Sequence, residues 1–142
     1  MKKMLLFLAM TSIVSLASAQ KCQEKDVPSA VKDKFVSLYP SNKVEKWEKD
    51  GSNYDACFEQ TKKKIKVTFS ASGTLVKTET KISVIELPQT VKDYANRNYP
   101  GKKISDASKV VDIDNTTTYK IEVNDLKLVI DSNGNLIQSK KD

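Results

Sequence analysis

The chain has 142 residues, 30% of them charged, with a net charge of +6 at pH 7 and no histidine. That length suits one domain around one core, and mild, interspersed charge favours solubility over a polyanion partner. The missing histidine closes off histidine general bases, Ser-His-Asp and Cys-His pairs, and histidine ligation of zinc or haem.

Residues 1–19 are expected to be a signal peptide. Lys2 and Lys3 precede an apolar run from Met4 to about Leu16, and Ala17-Ser18-Ala19 is the small-x-small pattern cut by a signal peptidase. The run is shorter than the ~20 residues that span a bilayer. A lipoprotein anchored at Cys22 would need a small residue where Lys21 stands. The expected product is exported, periplasmic or secreted after cleavage near Ala19, with neither nucleic acid nor a membrane span. Cys22 and Cys57 remain, and an even count in an oxidising compartment points to one disulfide, worth roughly 3–4 kcal/mol by loop closure. Two free thiols are the alternative.

Residues 27–40, VPSAVKDKFVSLYP, predict a short helix. Pro28 is placed one step inside it, where the missing N–H is harmless. Val31, Phe35 and Leu38 share one face, and Tyr39-Pro40 is the stop. Residues 43–51 predict a first strand, in which the sole tryptophan, Trp47, is a core or half-buried residue or, where exposed, a binding hot spot. Tyr54, Ala56 and Phe58 then alternate with Asp55, Cys57 and Glu59, and Ile65, Val67 and Phe69 with Lys64, Lys66 and Thr68. Such alternation marks antiparallel strands with one buried and one wet face. The lysines at 62–64 and 66 suit a patch that steers an acidic partner, a solvated face, or a protected sheet edge. FSASGTLV (69–76) predicts a hairpin turning on Gly73, and Leu75 to Ile85 a fourth strand.

Residues 87–100, LPQTVKDYANRNYP, repeat the first helix, with six of fourteen positions identical. Here Val91, Tyr94 and Ala95 face inward, and Asn98 replaces Leu38. Residues 104–115, then Tyr119/Ile121/Val123 and Leu126/Leu128/Ile130, predict three more strands. IDSNGNLI (130–137) predicts a hairpin on Gly134 matching that on Gly73. Asp131 to Asn135 and Asp112 to Asn115 resemble calcium loops but lack the glutamate an EF-hand needs; they are expected to be turns.

The expected fold is α+β: two tandem α-β-β-β-β repeats, residues 20–86 and 87–142, sharing one eight-stranded antiparallel sheet in a single compact domain over 20–142. Helices cover one face and the other is open. One such unit alone buries too little to be stable.

The hydrophobic-Pro-x-x-Val…Tyr-Pro pattern, the Trp-containing first strand, the Tyr-led strand and the strand ending in Phe/Ile-x-x-x-Gly-x-Leu resemble the PepSY-like family. That family is similar to beta-lactamase-inhibitory protein and occurs in exported proteins of Gram-negative bacteria. The resemblance covers the mature chain in both copies. It implies tandem repeats with a concave sheet and a role in binding or inhibiting a protein, such as a secreted or periplasmic enzyme, and brings no catalytic residues. No cofactor or metal is expected. Glu45, Glu48, Asp55 and Glu59 could form an acid–base pair, but surface ion pairs are the expected role. The expected function is a monomeric, non-catalytic binding module whose open face, through Trp47, Cys57, Lys64, Lys66, Lys120, Lys127 and Val129, meets a protein partner. The alternatives are an envelope structural or stress protein and a small-ligand carrier.

Overall fold

The computed structural model describes residues 20–141, so the leader expected at 1–19 lies outside the described residues. Nine strands form one sheet in unbroken sequence order, every neighbouring pair antiparallel. They are β1 (Gln20–Cys22), β2 (Lys46–Asp50), β3 (Asn53–Gln60), β4 (Lys63–Ser70), β5 (Leu75–Lys81), β6 (Ile104–Asp112), β7 (Thr117–Val123), β8 (Leu126–Asp131) and β9 (Leu136–Lys141). Helices α1 (Ser29–Leu38) and α2 (Gln89–Asn98) lie between β1 and β2 and between β5 and β6. The expected sheet had eight strands. The ninth is β1, whose three residues are too short to show a period. They pair with β2, placing Cys22 opposite Trp47.

The proline-led helices form where expected, but Pro28 and Pro88 stand at the N-caps, one residue earlier than anticipated. Each helix ends as Tyr39 and Tyr99 leave the helical region before proline, their amides still bonded to Phe35 and Ala95. Val31, Phe35, Val91 and Ala95 are buried, whereas Leu38, expected inside, is 41% exposed in the last turn. The strand expected to run to Ile85 stops at Lys81. Residues Val84–Glu86 form a 3-10 turn closed by Ser83 and Glu86, and Ile85 is 88% exposed.

Both helices cover the same sheet face. Under α1, Phe35 meets Trp47 and Phe58 edge-on, with ring centroids 6.2 and 5.1 Å away, above Ala56, Val67 and Phe69. Under α2, Val91 and Ala95 pack on Ala107, Ile121, Leu128 and Ile130. The first core is thus aromatic and the second aliphatic. Each hairpin turn tucks below the helix of its own half. A side-chain carbon on Gly73 would lie 2.6 Å from the Ala30 carbonyl oxygen, and one on Gly134 2.8 Å from that of Thr90.

The pairing repeats with the sequence. Lys21 opposite Glu48 recurs sixty residues later as Lys81 opposite Ser108. The tip of β5 therefore stands to β6 as β1 stands to β2, and β5 serves both halves.

Candidate functional site

The sheet face without helices carries the alternate side chains of every strand. Following the register, Lys46, Cys57, Lys66, Glu79, Val110, Thr118 and Asp131 form one row. Lys81, Ser108, Lys120, Val129 and Gln138 form another. Several members are closed off from solvent although no helix covers them: Asp55 is 3% exposed, Thr68 1%, Val110 1% and Val129 0%. Burial on such a face requires the long side chains around them to fold across, as lysine stems do.

Ion pairs organise the rim of this surface. Glu48 receives Lys46 at 2.8 Å and Lys66 at 3.6 Å, and the Cys57 thiol donates to its carboxylate at 3.7 Å. Lys120 meets Glu79 at 2.8 Å, Lys81 meets Asp106 at 3.3 Å, and Lys127 meets Glu122 at 4.0 Å. Beside Glu48, the Thr68 hydroxyl donates to buried Asp55 at 2.6 Å. A groove of about 490 Å³ runs along Lys46, Glu48, Cys57, Lys64, Lys66 and Glu79.

The environments of the cross-strand neighbours Glu48 and Asp55 push their acidities apart. Burial raises the Asp55 carboxyl, and the Thr68 hydrogen bond only partly opposes it. Burial also acts upward on Glu48, but Lys46 and Lys66 outweigh it and the net shift is downward. Burial lowers the basicity of Lys66, yet Glu79 and Glu48 more than restore it. The Cys57 thiol is pushed up to about 11 by burial and by Glu48, which keeps it protonated at neutral pH. Two carboxylates of opposed acidity are a pattern seen in acid–base sites. Here Asp55 is sealed under its neighbours, so no substrate reaches it.

Lys64, Lys66, Lys120 and Lys127 all lie on the open face, as expected. They belong to interior strands, so the sheet-edge role weighed for the lysines at 62–66 does not apply. Lys63, from the same cluster, reaches across to Glu86 at 2.7 Å. Trp47 is not on this face: it is buried beneath α1 as a core residue. Val129 has the expected parity but is fully covered. The disulfide is also corrected, since Cys22 and Cys57 are both free thiols. Cys22 packs with Trp47 on the helix face, whereas Cys57 points to the other side, so a sheet layer separates them. The Asp131 turn is an ordinary one, its carboxylate accepting from the Asn133 and Asn135 amides. Among the described residues no cluster of acidic or thiol groups could hold a metal. What the sequence did not reveal is the Asp55–Thr68 pair, which alternation alone places on a wet face; only the cross-strand register joins them.

A family model described as "Putative beta-lactamase-inhibitor-like, PepSY-like" matches residues 16–77 and 52–138. The chain belongs to the PepSY-like family. Solved structures share its fold. A BLIP-like protein from Bacteroides fragilis is 25% identical, with a TM-score of 0.65, covering 80% of this chain and 85% of that one. A DUF2874 family protein from Bacteroides ovatus is 24% identical, with a TM-score of 0.70, covering 80% and 86%. A protein from Bacteroides eggerthii described as periplasmic is 17% identical, with a TM-score of 0.72, covering 80% and 88%. Among curated proteins none matches. In the PepSY-like chain, no helix among the described residues is long and apolar enough to cross a membrane.

Proposed function

We propose that the chain is an exported, monomeric, non-catalytic binding module that engages a protein partner through its helix-free sheet face, in the manner of an enzyme inhibitor. Its two units are residues 20–86 and 87–142. A leader over residues 1–19, cut near Ala19, delivers it to the periplasm, where its Bacteroides eggerthii relative is described as residing. The observation that carries this reading is a broad, uncovered face whose polar side chains are held in place by one another: Lys46 and Lys66 on Glu48, Lys120 on Glu79, Thr68 on Asp55. A pre-ordered polar surface loses little side-chain entropy on docking. The BLIP-like relative supports a protein as the target. The same face argues against a carrier of small apolar ligands, because its groove is lined by charged groups and open to solvent.

Crosslinking in the native envelope followed by mass spectrometry tests the reading. A protein partner is expected to link to Lys64, Lys66, Lys120 or Lys127, and Lys66→Ala with Lys120→Ala should weaken its capture without unfolding the chain. Links confined to the helix-covered side would overturn it.

A further inference from the structure

The two ends of the sheet are not alike. β1 has three residues, whereas β9 has six, all but Gln138 exposed, and is the last strand in the sheet order. Which backbone groups of β9 face outward follows from the turn before it. Asn124 and Asp125, with φ of 52° and 60°, join Val123 to Leu126 in a two-residue hairpin. In such a hairpin the closing pair exchanges both hydrogen bonds, and bonded pairs then alternate with unbonded ones. β8 therefore turns Leu126 and Leu128 towards β7, and Lys127 and Val129 towards β9. Their partners Lys140 and Gln138 are engaged inward. The amides and carbonyls of Ile137, Ser139 and Lys141 are left pointing away from the sheet.

The first half of the molecule shows what such an edge does. Sixty-one residues earlier, Val76, Thr78 and Thr80 occupy the same places on β5. There they hold a further strand: Thr78 and Thr80 lie opposite Val111 and Lys109 of β6, and the Val76 carbonyl accepts from the Ile113 amide at 3.1 Å. Charge matches along that seam, with Lys77 opposite Asp112 and Lys81 bonded to Asp106.

We infer that the outer edge of β9 is a second binding site, which takes an extended acidic segment of another polypeptide as a tenth strand. The side chains select the occupant. Lys140 lies opposite Lys127 on the open face, with Lys141 beside it on the other. A second copy of the chain, paired antiparallel about Ser139, would bring two further lysines onto the same seam. Lysines at a sheet edge act against such self-pairing. The same charges favour a strand with acidic residues opposite Lys140 and Lys141 and an apolar one opposite Ile137. Strand addition of this kind draws affinity from main-chain hydrogen bonds and specificity from alternate side chains.

The test uses isotopically labelled chain, expressed with its leader and purified from the periplasm, and a blocked eight-residue peptide with two adjacent acidic residues, to lie opposite Lys140 and Lys141, among valines that supply the apolar residue opposite Ile137. A peptide with lysine at the acidic positions is the comparison. The acidic peptide is expected to slow hydrogen exchange at the Ile137, Ser139 and Lys141 amides about tenfold or more, and the lysine peptide to leave them unchanged. Ser139→Pro removes an outward donor without disturbing pairing to β8, and should abolish the effect while β8 stays protected. Lys141→Glu should shift the preference towards the lysine peptide. Equal response to both peptides, or no response, overturns the inference. Protection without peptide, together with a dimer mass, overturns it in favour of self-pairing. Perturbation confined to the helix-free face would overturn the edge site while leaving the proposed docking face standing.

Discussion

Asp55 shows how one carboxylate can be costly in a fold that tolerates it. Its folded acidity is weaker than in the unfolded chain, so the folded state holds the proton more tightly. Stability from this group therefore falls as pH rises through the window between the two values. Glu48, shifted downward, contributes stability above its unfolded value and loses it as pH falls through the folded one. Asp55→Asn keeps an acceptor for Thr68 and removes a buried charge. The variant is expected to be at least as stable as the parent at pH 7, with its advantage shrinking as the pH drops into the range where Asp55 binds a proton; urea melts across that series check it. Cys57 offers a second prediction. With its thiol near 11, alkylation by iodoacetamide at pH 7.5, a condition set by the ordinary thiol range near 8.5, should be slow and should accelerate as the pH approaches 11. Peptide mass spectrometry of the timed reaction reads it. Parity alone was enough to place Cys57, Lys66 and Lys120 on the open face. It could not tell which members of that face are sealed, because the burial of Val129 and Thr68 depends on which residues the strand register sets beside them.

At the scale of elements, the helices and hairpins were legible because their signals are local: proline at the start, Tyr-Pro at the end, glycine where φ must be positive. Gly73 and Gly134 have φ of 84° and 86° and lie against the backbone of α1 and α2. Gly51 has φ of 59° with open space around it. Alanine at Gly51 should thus cost only the left-handed backbone penalty of about 1–2 kcal/mol. At Gly73 or Gly134 the added methyl also collides with a carbonyl oxygen, so thermal melts should show a clearly larger loss. Equal losses at the three sites would mean that the turn–helix contact is not rigid. What escaped the sequence was β1, since three residues carry no periodicity and its strand character comes wholly from β2. The core position of Trp47 was one of two readings open to the sequence, and what decides it is Phe35, on a helix twelve residues away.

For the whole molecule, the two core clusters meet through one continuous sheet, and β5 pairs with β4 on one side and β6 on the other. Phe35→Ala, which empties the aromatic core under α1, is expected to cost about 3–5 kcal/mol. It should also lower a single calorimetric transition; two resolved transitions would show that the halves melt separately. The duplicated architecture could be read from the repeated phrase at 27–40 and 87–100. The surface could not, because it is not duplicated. Where the first half pairs Asp55 with Thr68, the second sets Lys120 opposite Val129, so equivalent positions hold opposite chemistry.

Nine is an odd count for a doubled unit, and it arises because one strand does duty on both sides of the midline. Each further unit would add one helix and four strands, with a single extra strand needed to start the series. A chain cut at the midline could not yield two equal pieces: one would keep the shared strand with its far side bare, and the other would begin without a wall.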